Sequence, residues 1–323
     1  MNTIQTIKND VLTGKLIDKK QALSLVTVPL AELCAAANEI REFFCGNDFD
    51  ICTIINGKSG RCSEDCKYCA QSVSYNTKNE KYSLLGTDEL VSQAQYNDEQ
   101  GVLRYSIVTS GKSLKDDEID QVSQSIKAIK EQTNISVCVS FGLLDESQFT
   151  KLKAAGASRV HNNLESSRDY FPNICTTHTY DDKIHAIHAA KQAGLSVCSG
   201  GIMGLGESME DRIDMALILR ELKINSIPLN MLNPVAGTPF EGNLPLTNDE
   251  MCRIVAIYRF ILPNTFIRLA GGRGLLPDQG KKCFLSGANA AISGDMLTTA
   301  GISIKNDLKM INDLGYQLAC ANK

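Results

Sequence analysis

The sequence predicts an α/β protein built on a closed barrel of eight parallel strands, of the (βα)8 type. Short β-branched or apolar runs alternate with longer amphipathic segments, a pattern typical of parallel strands joined by helical crossovers. Eight such runs are present, which is the number of strands in a (βα)8 barrel. A doubly wound open sheet is the alternative that the pattern leaves open.

The predicted elements follow one another along most of the chain. The strands are Asp50–Ile55, Arg104–Thr109, Ile135–Phe141, Ser158–Asn163, Leu195–Gly201, Ser226–Leu232, Thr265–Ala270 and Ala290–Gly294. The helices between them include Asp117–Gln132, Asp145–Ala155, Asp181–Ala193, Met209–Leu222 and Asn248–Leu262. Gly156 and Gly194 stand where two of these helices are expected to end. Residues 1–45 are predicted to form a helical extension, and residues 46–323 a single barrel domain.

The composition excludes several classes of protein. Of the 323 residues, 43% are hydrophobic and 22% charged, which supports a packed core and does not fit a disordered or collagen-like chain. The net charge of −4 comes without a basic run, so we expect neither a nucleic-acid nor a membrane partner. No secretory-type segment and no run of about 18 apolar residues is present, so we expect a cytoplasmic protein.

Cysteines are numerous and unevenly placed. Six of the twelve lie between Cys34 and Cys69, and the others stand singly. In a chain of this length without a secretory segment, thiols indicate metal or redox chemistry rather than disulfides. Five cysteines are interpreted as ordinary core or surface thiols, namely Cys34, Cys175, Cys252, Cys283 and Cys320.

Three cysteines follow the first predicted strand at C-x3-C-x2-C spacing, namely Cys62, Cys66 and Cys69. Three thiolates on one loop can bind three irons of a 4Fe-4S cluster, which leaves the fourth iron open to a small molecule. Structural zinc is the alternative, but it favours a fourth Cys or His close by. The next candidates downstream are the distant Cys138 and His161.

Together with Tyr68, the triplet resembles the signature of the radical S-adenosylmethionine enzymes. In that superfamily the open iron binds S-adenosylmethionine, and reduction of the cluster splits the sulfonium to give methionine and a 5′-deoxyadenosyl radical. The resemblance implies that Tyr68 lies against the adenine.

Further segments resemble the biotin synthase family over nearly the whole chain. They are Ser63–Ser72, Asn173–Tyr180, Cys198–Glu207, Ile227–Leu232, Arg268–Arg273 and Leu297–Thr299. The resemblance implies sulfur insertion between carbons 6 and 9 of dethiobiotin, a flavodoxin or ferredoxin as reductant, and a homodimer. The enzymatic alternative is another barrel of the superfamily, such as the iron–iron hydrogenase maturase or a methylornithine synthase. An iron–sulfur carrier is the non-enzymatic alternative.

The resemblance also implies roles for individual residues. Asn163 and Asn230 would contact dethiobiotin, Asn230 at the ureido ring. Contacts with S-adenosylmethionine are implied for Tyr68, Glu165, Lys183, Gly201, Ile202, Met203 and Glu207. Lys183 stands where the family usually has an Arg, so the charge is kept but the bidentate fork is lost. The order His161-Asn162-Asn163 differs from the family's Asn-His-Asn, so His161 is given no role.

The glycines of the Cys198–Glu207 segment predict a close approach between backbone and ligand. They are Gly200, Gly201, Gly204 and Gly206. A residue without a Cβ atom lets another group come near the main chain.

A second, auxiliary cluster is where this sequence departs from the best-known biotin synthases. Those enzymes hold a 2Fe-2S cluster with three cysteines and an arginine, and Cys138, Cys198 and Arg268 fill three of the positions. The fourth is Ser106, and a hydroxyl is a poor ligand for a soft metal. We expect Cys52 to replace it, with a buried core thiol as the alternative; Cys45 is a weaker candidate. Both a 2Fe-2S cluster and a four-iron cluster with an additional sulfide remain open.

Overall fold

Residues 3–297 and 301–319 are described by the structure, a computed structural model. Its strands are β1 Asp48–Lys58, β2 Arg104–Thr109, β3 Ser136–Ser140, β4 Ala157–His161, β5 Ser196–Cys198, β6 Gly201–Met203, β7 Ser226–Met231, β8 Phe266–Leu269, β9 Ala290–Ser293 and β10 Gln317–Leu318. Parallel pairing runs in the order β1-β2-β3-β4-β5-β7-β8-β9, with β6 beside β7, and β9 also pairs with β1. The last pairing closes the sheet, which confirms the predicted barrel and excludes the open sheet.

Helices cover the outside of this barrel. They are α1 Thr3–Leu12, α2 Lys19–Ser24, α3 Leu30–Cys45, α4 Thr87–Glu99, α5 Asp116–Gln132, α6 Glu146–Ala155, α7 Tyr180–Gln192, α8 Met209–Glu221, α9 Asn248–Ile261, α10 Lys281–Phe284 and α11 Ile304–Asp313. Short 3-10 helices occur at Phe171–Asn173 and Arg273–Leu275. None of the helices in the described parts of the chain has the length and apolar character needed to cross a membrane.

Local sequence explains where several of these helices begin and end. Thr179 and Thr247 accept hydrogen bonds from the backbone three residues on, and a carboxylate at that third position bonds back to the cap. This reciprocal arrangement satisfies amides that would otherwise lack a partner. Gly156 and Gly194 follow α6 and α7 in the left-handed region, at φ 111° and 77°, which confirms their predicted positions at helix ends.

The strand predicted over Leu195–Gly201 is in fact two strands, β5 and β6. They are interrupted beside β7, where Pro228 has no N–H to donate to a ladder. At the interruption the chain runs so close to β7 that a Cβ atom on Gly200 would lie 2.0 Å from the Pro228 carbonyl oxygen. An apolar run in the sequence does not reveal such a break, because both parts are buried.

The amino-terminal helices lie against the barrel's outer layer. The helix α3 packs against α9 and α1, and α2 packs against α8 and α9. Residues 3–45 thus form three helices joined by short turns, while their separation from the barrel as a domain stays a prediction. Near the other end of the chain, β10 pairs with the start of β1, at Asp48 and Phe49, and was not predicted.

Candidate active site

A cavity of about 260 Å³ lies inside the barrel. Its lining brings together many of the predicted site residues, namely Cys52, Tyr68, Cys69, Ser106, Cys138, Cys198, Ile202, Asn230 and Arg268. They come from β1, β2, β3, β5, β6, β7 and β8, together with the loop that follows β1. One cavity is therefore lined both by Cys69 of the triplet and by the three barrel cysteines.

The cysteine triplet lies on the loop after β1. The Cys62 amide donates to the Gln71 carbonyl at 3.0 Å, and the Cys62 carbonyl accepts from the Val73 amide at 2.9 Å. The Gln71 side chain in turn accepts from the Gly60 amide at 3.0 Å. Cys62 is buried, and Cys66 and Cys69 are half-buried. The backbone thus folds the triplet into a fixed loop whose thiols share one region.

Tyr68 and Glu165 meet beside this loop. Burial of the phenol and the nearby Glu165 carboxylate raise the pKa of Tyr68. Glu165 is held in the left-handed region at φ 71°, while its carbonyl accepts from the Ile202 amide at 2.9 Å. A non-glycine residue in that conformation persists only where its surroundings hold it, so Glu165 has a fixed position.

Two glycines of the Cys198–Glu207 segment allow other parts of the protein to pack closely against the main chain. A Cβ atom on Gly201 would lie 2.4 Å from the Glu165 carbonyl oxygen, and one on Gly206 would lie 2.6 Å from the Tyr170 hydroxyl. These two glycines were predicted to let a ligand approach the main chain. Close packing within the protein is enough to explain them. Glu207 also bonds within the protein, accepting from the Gly204 amide at 2.9 Å and from Arg212 Nε at 2.6 Å.

Two asparagines with expected substrate roles occupy different surroundings. The Asn230 amide donates to the Gly201 carbonyl at 3.1 Å and accepts from the Gly271 amide at 2.9 Å, which fixes its side chain at the cavity wall. Asn163 is buried and accepts from the Gly200 amide at 3.0 Å. Asn163 is absent from the cavity lining within the described residues.

Cys52 lies deep in the barrel, against an arginine. Arg268 Nη1 is 3.3 Å from the Cys52 sulfur and 2.8 Å from the Ala291 carbonyl oxygen, while Nη2 is 3.1 Å from Asp50 Oδ1. The side chains of Cys52, Asp50 and Arg268 are all buried. Burial raises the pKa of Cys52 to about 12, although the Arg268 charge opposes that shift. A free thiol here is therefore neutral, and a bound metal would be needed to hold it as thiolate.

Cys138 and Cys198, with Cys52, are the three cysteines expected to bind the auxiliary cluster. Ser106 lies beside Cys138 in the register of β2 and β3, and His161 lies beside Cys198 in the register of β4 and β5. Burial acts to raise the pKa of Cys198, but the hydrogen bond and charge of His161, with the charge of Arg268, lower it to about 6. His161 therefore lies next to an expected cluster ligand.

Arg104 and Arg159 also line the cavity, although neither was predicted as a site residue. Both are buried and line the same space as the cysteines. Arg159 Nη1 lies 3.8 Å from Asp50 Oδ2, and β2 places Arg104 beside Cys52 in register. A detectable signal existed, because three of the predicted strands carry an arginine, and arginine is rarely buried unless paired.

Other predicted residues lie away from the cavity lining among the described residues. Met203 is buried in β6, and Lys183 is half-buried on α7. Cys45 faces the Pro263 and Thr265 carbonyl oxygens at 3.8 and 3.9 Å, and the Cys252 and Cys283 sulfurs are 3.7 Å apart in the core. Residues 298–299 and Cys320 lie outside the described residues.

The donor atoms fit the groups that the triplet and the barrel cysteines imply. Each of the two expected clusters has three thiols, and thiolate is the usual ligand of iron–sulfur clusters. Beside Tyr68, Glu165 Oε2 is buried and without a hydrogen-bond partner among the described residues. A carboxylate oxygen in that state fits a ligand that brings hydroxyl or amine donors.

Comparisons with protein families agree with this geometry. The model of the radical SAM superfamily matches residues 58–219, and that of the biotin and thiamin synthesis associated domain matches residues 228–317. Barrel, triplet and family match together define the class: a radical S-adenosylmethionine enzyme.

Curated relatives narrow the class. The biotin synthase of Brachyspira hyodysenteriae is 60% identical over 98% of this chain and 95% of its own length. That of Akkermansia muciniphila is 55% identical over 98% of this chain and 99% of its own. The chain belongs to the biotin synthase family.

Solved structures show the same fold at low identity. A methylornithine synthase superposes with a TM-score of 0.84 at 19% identity, covering 98% of each chain. A maturase of the [FeFe]-hydrogenase superposes with a TM-score of 0.83 at 20% identity, over 98% of this chain and 75% of its own. These two share the barrel with this chain, whereas the family assignment comes from the sequence relatives.

Proposed function

We propose that this chain converts dethiobiotin to biotin by inserting sulfur between carbons 6 and 9. The observation that carries the proposal is that a single cavity is lined both by the triplet loop, through Tyr68 and Cys69, and by the barrel cysteines. Asn230 lies on the same wall. A substrate in this cavity would therefore be within reach of both predicted cofactor sites.

When bound, the reduced 4Fe-4S cluster and S-adenosylmethionine supply a 5′-deoxyadenosyl radical, and the auxiliary cluster supplies the sulfur. The chain's own residues hold and orient these groups. Cys62, Cys66 and Cys69 would bind three irons and leave one free of protein. Tyr68 would lie against the adenine, and Glu165 would accept from the ribose.

The remaining predicted ligand contacts surround the cavity. Lys183 would attract the methionine carboxylate, and the segment of Gly201, Ile202 and Met203 would lie along the bound S-adenosylmethionine, with Glu207 bracing its turn. Asn163 and Asn230 would hydrogen-bond dethiobiotin. Ile202 and the barrel walls would exclude water, which protects radical species from side reactions.

We further propose that Cys52, Cys138 and Cys198 hold the auxiliary cluster and that Arg268 is a charged neighbour rather than a ligand. Arg268 Nη2 lies 3.1 Å from Asp50 Oδ1, and a guanidinium beside a buried carboxylate stays protonated. A guanidinium kept protonated has no lone pair to offer iron. Three thiolates then suit a four-iron cluster with an additional sulfide, because 2Fe-2S needs a fourth protein ligand.

Family resemblance supports three further proposals. The reductant is a flavodoxin or ferredoxin, the assembly is a homodimer, and the protein works in the cytoplasm. Sedimentation of the cluster-loaded protein would test the dimer, and reduction by purified flavodoxin or ferredoxin would test the donor.

The proposed reaction is tested under anaerobic conditions with cluster-loaded protein, S-adenosylmethionine, a reductant and dethiobiotin. Mass spectrometry should detect biotin together with about two 5′-deoxyadenosines per biotin, because two C–H bonds are cleaved. Deoxyadenosine without biotin would reject this substrate and favour another reaction of the superfamily. A loaded sample that forms neither product would contradict the proposal.

A further inference from the structure

Cys175 and His178 lie directly against the triplet loop, although Cys175 was predicted to be an ordinary thiol. The Cys175 sulfur is 3.8 Å from the Cys66 sulfur and 3.2 Å from His178 Nδ1. The three potential ligand atoms all lie within 4.8 Å of one another. Both Cys175 and His178 are buried, and Cys66 is half-buried.

Carboxylates fix these side chains in place. Glu64 Oε2 is 2.6 Å from His178 Nδ1 and accepts from Thr177 Oγ1 at 2.9 Å. Asp65 Oδ1 is 3.1 Å from the Cys175 sulfur. Asp65 also accepts from the Thr176 amide at 2.8 Å, so the segment before α7 is tied to the triplet loop.

The spacing of the two sulfurs suits a single metal ion. Zinc–thiolate bonds are about 2.3 Å long, so two thiolates on one tetrahedral ion lie about 3.8 Å apart. The Cys66 and Cys175 sulfurs are separated by 3.8 Å. The three triplet sulfurs do not form such a close group among the described residues, as expected for thiols that each bind a different iron of a cluster.

We propose that Cys66, Cys175 and His178 bind one divalent ion of the zinc or ferrous type when the 4Fe-4S cluster is absent. Two sulfurs and an imidazole nitrogen form a donor set that such ions prefer. On binding, the two thiols release their protons to solvent. The proton between His178 Nδ1 and Glu64 passes through solvent to Nε2, so that Nδ1 is free to coordinate the ion. Glu64 then keeps its bond from Thr177. Water fills the fourth position, which the half-buried Cys66 leaves accessible.

The single ion and the cluster exclude each other, because both need Cys66. Cys175 and His178 are not members of the triplet and so would be released when the cluster forms. Zinc at this site therefore blocks cluster assembly until it is displaced. This makes the site a point of competition between metals, independent of whether the chain forms biotin.

Titration of the full-length, cluster-free, fully reduced chain with Co²⁺ tests the site under anaerobic conditions. Wild type should bind one equivalent with thiolate-to-cobalt charge-transfer bands, and Zn²⁺ should displace it. Cys175→Ala and His178→Ala should weaken binding at least tenfold. Cys69→Ala, which removes a triplet thiol outside the proposed donor set, should bind as wild type does. Circular dichroism checks that each variant is folded.

Two results would overturn the proposal. One is loss of the cobalt bands in Cys69→Ala with full binding in Cys175→Ala, which would place the ion on the triplet. The other is absence of tight binding in folded wild type. A second measurement follows reconstitution of the 4Fe-4S absorbance after preloading with one equivalent of Zn²⁺. Assembly should slow in wild type and not in Cys175→Ala, and equal slowing in both would contradict the competition.

Discussion

The two groups of cysteines in this molecule are built in opposite ways. Cys62, Cys66 and Cys69 are close in sequence and lie on one loop, whereas Cys52, Cys138 and Cys198 are far apart in sequence and meet because three strands of the closed barrel adjoin one cavity. The loop is partly accessible, and the barrel group is buried among arginines. A motif therefore reveals the first group, while only topology assembles the second.

Removing a triplet thiol should have the largest effect. Cys62→Ala should form no detectable deoxyadenosine and no biotin, because the cluster loses one of its three thiolates. Product analysis of anaerobically reconstituted protein measures both. The control Cys34→Ala, which removes a thiol from α3, should retain both products, and full turnover by Cys62→Ala would contradict the assignment of the triplet.

Removing Cys52 from the barrel group should show that the two groups of cysteines have different roles. Cys52→Ala should still form deoxyadenosine but lose biotin, because the triplet is intact while the sulfur source is not. Cys45→Ala is the matched control, since Cys45 was the other candidate and faces carbonyl oxygens outside the cavity lining. Unchanged biotin yield in Cys52→Ala would show that this thiol is merely a core residue.

The buried ion pair between Asp50 and Arg268 should contribute more to the free energy of unfolding than an exposed ion pair does. Asp50→Asn should lower the free energy of unfolding by about 3–5 kcal/mol, since it breaks a buried ion pair. Asp50 is fully buried and lies 3.1 Å from Arg268 Nη2. Denaturant unfolding of the full chain measures the loss. Asp120→Asn, which breaks an exposed pair with Lys151, should change little.

Asn230→Ala should weaken dethiobiotin binding roughly tenfold, the effect of losing a hydrogen bond of about 1.4 kcal/mol. The Gly271 amide would also lose its acceptor. Isothermal titration with loaded protein measures the affinity. Asn97→Ala removes a buried amide of α4 that bonds to the Gln93 carbonyl, so it should reduce stability without changing affinity.

The smallest effect concerns the end of β1, where the strand leads into the triplet loop. Lys58 and Glu118 pair at 2.6 Å, both mostly buried. Burial acts to raise the pKa of Glu118, but the Lys58 hydrogen bond and charge lower it. The pair therefore stabilises the fold above the unfolded pKa of about 4.3, and this is lost as the pH falls through the lower folded pKa.

Glu118→Gln should accordingly lower the free energy of unfolding by up to about 1 kcal/mol at pH 7 and by less at pH 3. Unfolding curves at the two pH values measure the difference. An equal loss at both would mean that the carboxylate charge plays no part.

Sequence patterns predicted the barrel and the triplet because both are repeated or local features. The strand break at Gly200 was not predicted, since it depends on the backbone of Pro228 in a neighbouring strand. Arg104 and Arg159 lie in predicted strands, but the register that brings them into the cavity lining is known only from the fold. The place of Cys175 beside Cys66 depends on how two distant loops pack.

We infer that two separate cysteine groups hold two separate clusters. Mössbauer spectra of iron-57-loaded wild type, Cys62→Ala and Cys52→Ala test it most directly. We predict two iron populations in wild type, loss of the 4Fe-4S population in Cys62→Ala and loss of the auxiliary population in Cys52→Ala. A Cys52→Ala spectrum identical to that of wild type would show that Cys52 does not hold the auxiliary cluster.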